Sequence, residues 1–123
     1  MSDQDIEQEI QAKGLTAPRV TPADIEANIA SEHYFSALDG ANVKDTDVVN
    51  IWHSHDGVID GGVALSQLTF CVLVLKNGFT VTGESACASP ENFDAEIGRK
   101  IARKNAVQKI WPLMGYELKS RLQ

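Results

Sequence analysis

The pair Asn77-Gly78 constrains this chain more than any other feature, because it separates two β-prone runs within Leu68–Ser85. Asn-Gly is the preferred dipeptide of two-residue hairpin turns, whose central positions both need positive φ. If those two residues form the loop, Val74 faces Val81, Val72 faces Gly83 and Cys71 faces Glu84. Alternation along each strand then puts Phe70, Val72, Val74, Phe79 and Val81 on one face, the expected core face. Thr69, Cys71, Leu73, Leu75, Thr80, Thr82 and Glu84 fall on the other. That second face, apolar at Leu73 and Leu75, calls for partial cover from another segment or a partner.

Helices are expected on both sides of the hairpin. Thr21 supplies a capping hydroxyl, Pro22 suits the first helical position, and Val20 with Ile25 has the spacing of a hydrophobic staple. These signals predict a helix from about Pro22 to Phe35. A second start lies at Ser89-Pro90, with Glu91 and Asp94 in the first turn. Phe93, Ile97 and Ile101, continued by Ala102, Ala106 and Ile110, supply the predicted apolar stripe of that helix. Pro112 removes a hydrogen bond and predicts a break near Trp111.

Composition narrows the class. With 123 residues, 43% hydrophobic and 23% charged, the chain has the make-up of one globular domain. The longest uncharged run, Gly61–Leu75, is shorter than the roughly 20 apolar residues of a membrane span. No export signal precedes the domain, which leaves the cytoplasm as the expected compartment. Residues 1–17 are read as an acidic, mobile arm. Residues 18–123 are read as a single α+β domain, for which a flexible insert at 39–66 is one reading. Within that insert Val48–Trp52 has strand character, and the region around Gly57, Gly61 and Gly62 reads as loop. The net charge of −6 is uneven: residues 1–60 hold 12 acids against 3 bases, and residues 61–123 hold 5 against 8. Either a basic binding face or internal pairing between the halves produces such a pattern.

Residues able to carry chemistry are few. His53-Ser54-His55-Asp56, with Asp60 nearby, is the one cluster of metal-ligand types close in sequence, and a His-x-His on a strand points both rings to one face. A solvated loop is the simpler reading, so no metal and no cofactor is assigned. Nucleophile elbows, metalloprotease helices, phosphate loops and dinucleotide fingerprints are all missing, which favours a non-catalytic protein. Cys71 and Cys87 lack metal or redox spacing and read as small buried side chains.

Arg99, Lys100, Arg103 and Lys104 recur at helical spacings and are expected to form one exposed cationic face, a candidate contact for nucleic acid or a partner. The order helix, hairpin, helix, with Arg99-Lys100-Ile101-Ala102-Arg103 early in the last helix, is faintly similar to a double-stranded RNA-binding domain. Those domains have three strands, of which two are legible here, and the overall acidity opposes an anionic partner.

The strings Leu68–Ser85, Asn92–Ala102 and Trp111–Tyr116, with Arg19–Glu26 and Ser31–Phe35 earlier, resemble a family of small proteins of tailed bacteriophages and enterobacterial prophages. The likeness covers roughly two thirds of the chain and leaves out 39–66. It implies a phage or prophage origin and life inside a bacterium, and it carries over no catalytic residue. The expectation is therefore an α+β fold: an N-terminal helix, an antiparallel hairpin with a third strand left open, and a long C-terminal helix broken at Pro112. The expected role is that of a phage accessory protein binding a host or defence protein without catalysis. Its anchors would be the acidic first half or the hairpin face at Leu73 and Leu75. Nucleic-acid binding through the basic helix face is the alternative, and metal-dependent activity at His53 and His55 a second one. Whether the chain is a monomer or a homodimer stays open.

Overall fold

In a computed structural model the chain is described over residues 2–41, 51–54 and 57–123, with backbone alone at 51–54 and 57–61. The elements run α1 (Asp3–Ala12), α2 (Pro22–Ala27), β1 (Ile29–Ser36), α3 (Ala37–Gly40), β2 (Ile51–Ser54), β3 (Gly57–Asp60), α4 (Gly61–Ser66), β4 (Leu68–Leu75), β5 (Thr80–Ala86) and α5 (Ala95–Arg121). The main sheet is antiparallel in the order β1-β4-β5, with β2 and β3 forming a separate hairpin. The protein is thus α+β, and the third strand is present.

That third strand lies where the sequence predicts helix. Thr21 caps α2 as expected, its hydroxyl accepting from Asp24 N at 3.1 Å while the Asp24 carboxylate accepts from Thr21 N at 2.9 Å. The helix stops at Ala27, however, and residues expected to complete it form β1 instead. β1 pairs with β4 through Tyr34↔Cys71 and Phe35↔Phe70, so a full ladder along a central strand outweighs the helical spacing of Ile25 and Ile29. Val48, Val49 and Asn50 of the expected insert strand lie outside the described residues. Ile51 and Trp52 belong to β2, and Gly57 opens β3 where loop was expected.

The hairpin forms, but one residue out of the expected register. Val74 faces Thr80, Leu73 faces Val81 and Cys71 faces Gly83. Leu75 N donates to Phe79 O at 2.8 Å and Gly78 N to Leu75 O at 2.9 Å, leaving Lys76, Asn77 and Gly78 as a wider loop. Gly78 sits at φ 90°, and Asn77 Oδ1 accepts from Phe79 N at 2.9 Å, the arrangement of a three-residue loop with glycine in the left-handed position. A slip of one exchanges the faces of a strand. Cys71 and Leu73 are therefore fully buried, Thr69, Leu75 and Val81 nearly so, while Phe70, Val72 and Val74 are half-buried on the opposite face and Phe79 is exposed. Leu73 and Leu75 cannot be partner anchors, since α5 already covers them.

α5 also turns a different side to the sheet. Its buried residues are Gly98, Ala102, Ala106 and Ile110, whereas Ile97 and Ile101 are exposed. Size decides this. A Cβ on Gly83 would lie 2.1 Å from Ala102 O and 2.3 Å from Ala106 N, so strand and helix backbones touch at a contact only glycine and alanine permit. The bulkier isoleucines cannot occupy that seam. The helix start shifts as well: Ser89-Pro90 opens a short 3-10 turn, and Asp94 caps α5 by accepting from Ile97 N at 3.0 Å. The expected break at Pro112 does not interrupt α5, which continues to Arg121. Gln108 and Pro112 are both exposed, so water can take the carbonyl that proline leaves unpaired.

Candidate functional site

Helices α2 and α5 lie on one side of the main sheet, and the other side presents a row of apolar residues. Phe35 and Phe70 stack with ring centroids 5.5 Å apart, and Val72 and Val74 continue the row along β4. Phe35 is 38% exposed. Polar groups flank the row: His33 and Ser31 on β1, joined at 3.0 Å, and Thr80, Thr82 and Glu84 on β5. A half-covered apolar centre with a polar border is the build of a protein-contact patch.

The four bases singled out in the sequence are placed differently from one another. Arg103 bridges α5 to the rest of the fold: its Nη2 donates to Glu26 Oε2 at 2.7 Å and its Nε to Glu32 Oε2 at 3.0 Å. Its own pKa is driven further up by these bonds, while that of Glu26 is lowered, first by the Arg103 hydrogen bonds. Lys100 is solvent-exposed and pairs with Glu96 at 3.3 Å. Arg99 borders a cleft of about 260 Å³ formed with Phe35, Asp39 and Phe93. Lys104 is exposed and has no ion-pair partner among the described residues. Three of the four thus remain at the surface, and the fourth is spent on internal pairing. The Arg103 pairs thus join the two halves, and within the acidic first half Arg19 forms a forked pair with Glu7, Nη2 to Oε2 at 2.7 Å. Glu7 is held at about 2 by the Arg19 hydrogen bond, helped by Gln11.

A groove of about 620 Å³ runs between α1, α2 and α5. Asp3 and Glu26 line it together with Lys100 and Lys104, so it carries no field of one sign. Beneath β1, burial raises the Tyr34 hydroxyl to about 12 and raises the Cys71 thiol. Both cysteines are free. Cys71 is buried and Cys87 partly so, its thiol donating to Ser89 O at 3.1 Å. His53 lies on β2, but its side chain and that of Asp60, with all of His55 and Asp56, fall outside the described residues. Among the described residues there is no cluster of three metal-ligand types and no helix long and apolar enough to cross a membrane.

These surfaces belong to a chain whose residues 20–122 match the profile of the Phage protein (N4 Gp49/phage Sf6 gene 66) family. The chain is a member of this phage protein family. The match takes in the main sheet, α2 and α5 and leaves α1 outside. No curated protein and no solved structure matches it. The open sheet face was missed in the sequence because its recognition depends on hairpin register. Phe35, read as the end of a helix, gave no sign of stacking on Phe70.

Proposed function

We propose that this phage protein is a non-catalytic accessory module that binds a protein of the infected cell, a host or defence component, through the open face of its main sheet. The carrying observation is the Phe35, Phe70, Val72 and Val74 row, on the side of the sheet away from α2 and α5, with Gly40 of α3 beside the Phe35 ring at one end. The perturbed titrating groups support a non-catalytic reading, because caps, ion pairs and burial account for each of them. Val72→Lys places a charge at the centre of the row without touching the core. Affinity capture from phage-infected cells with wild type and with this variant tests the reading. The wild type is expected to retain a defined host or phage protein that Val72→Lys loses; equal retention by both would refute the assignment of this face.

A second reading rests on β1. With it the main elements α2, β1, β4, β5 and α5 run helix, three antiparallel strands, helix, as in a double-stranded RNA-binding domain, with α3, the β2–β3 hairpin and α4 inserted after the first strand, while Arg99, Lys100 and Lys104 stay exposed. Titration of double-stranded RNA and DNA at two salt concentrations separates the readings. Binding that weakens steeply with salt and disappears when Arg99, Lys100 and Lys104 become alanine supports nucleic acid. Absence of such binding leaves the sheet face as the working surface.

A further inference from the structure

The solvent-facing flank of α5, turned away from the sheet, carries Asp94, Ile97, Ile101, Lys104 and Gln108, at alternating spacings of three and four, with Lys104 and Gln108 also bordering the groove shared with α1 and α2. This is the a and d pattern of a heptad, on the side of the helix away from the seam that α5 buries against the sheet. Ile97 is 55% and Ile101 45% exposed, and Phe93 borders them at 36%. Reversed end to end, the stripe reads base, isoleucine, isoleucine, acid, so it is complementary to its own reverse.

We propose that this flank is a self-association surface on which α5 of a second copy of this chain packs antiparallel. In antiparallel helix pairs an a position meets a d position of the neighbour. Ile97 then packs on Ile101 of the second copy, and Asp94 meets Lys104 of the second copy at each end. Charge selects both the occupant and its direction. A parallel arrangement sets Asp94 against Asp94 and Lys104 against Lys104, whereas the two-fold antiparallel one joins opposite charges twice. Lys104 is free for this role, having no ion pair within the chain among the described residues, unlike Lys100 and Arg103. Few side chains are involved, so the contact belongs among small, weak interfaces that are sensitive to salt. It leaves the open sheet face of each copy uncovered.

Sedimentation equilibrium of the full chain from micromolar to millimolar concentration tests the proposal. The wild type is expected to show a reversible monomer–dimer equilibrium that weakens with added salt. Ile101→Asp should abolish it, and Lys104→Glu, which places two acids together, should raise the dissociation constant about tenfold or more. Adding Asp94→Asn to Lys104→Glu should recover part of the loss, because asparagine keeps the helix cap and removes the repulsion. Far-UV circular dichroism establishes that the variants are folded, as expected for changes at exposed positions. A wild type monomeric throughout, or a dimer indifferent to both Ile101→Asp and Lys104→Glu, would overturn the proposal. In the second case, loss of the dimer on Val72→Lys would move the contact to the sheet face.

Discussion

Single residues tie the acidic N-terminal helix to the rest of the fold. Glu7 is nearly buried, and its carboxylate is held well below its usual 4.5, at about 2, by the Arg19 fork. A group depressed in the folded state contributes stability that is complete above its unfolded value and is lost as pH falls through the folded one. The attachment of α1 is therefore expected to weaken between about pH 4.5 and about pH 2. Ile6, Glu7 and Ile10 share a cavity of about 230 Å³ with Trp111, so tryptophan fluorescence should report the release. Glu7→Gln should remove this transition and leave α1 loosely held at neutral pH. Neither the pairing nor its strength is legible in sequence, where Glu7 is one acid among many and Arg19 lies 12 residues away. The Thr21 cap was legible, because capping is settled within a few residues.

Among the elements, the contact between β5 and α5 is the tightest. Gly83→Ala pushes a methyl group into the backbone at Ala102 and Ala106, neither of which can yield without moving the helix. Overpacking of this kind is expected to destabilise the fold by about 2–3 kcal/mol, read as a lower urea midpoint by circular dichroism. The same contact explains which parts of the secondary structure were foreseen. The hairpin was recognisable from Asn77-Gly78, but its register was not, since a two-residue and a three-residue loop share that dipeptide and differ only in where the ladder closes. The choice follows from what each register buries: with Leu73 opposite Val81, four side chains of β4 meet α5, and Gly83 admits the helix. β1 was hidden for a related reason. Its partner β4 is separated from it by α3, the β2–β3 hairpin and α4, so no local signal announces the pairing.

Across the whole molecule the division expected between an arm and a domain can be tested directly. The family match starts at residue 20, and α1 adds Ile6 and Ile10 over Trp111 in addition to the Glu7 fork. Deletion of residues 1–17 is expected to leave a cooperatively folded protein whose stability falls by about 2 kcal/mol, the order of two half-covered aliphatic side chains. Urea unfolding followed by circular dichroism measures this; a deletion variant without a cooperative transition would show that α1 is integral to the domain. By itself the sequence determined the class, the hairpin, the cap of α2 and the long C-terminal helix, because capping, turn and helix preferences act over a few residues. Only the tertiary structure decided which face of β4 and which side of α5 are buried, since backbone approach at Gly83 is a property of two distant segments in contact. That same decision left Phe35, Val72, Ile97 and Ile101 outside the core, and the proposed binding surfaces are built on them.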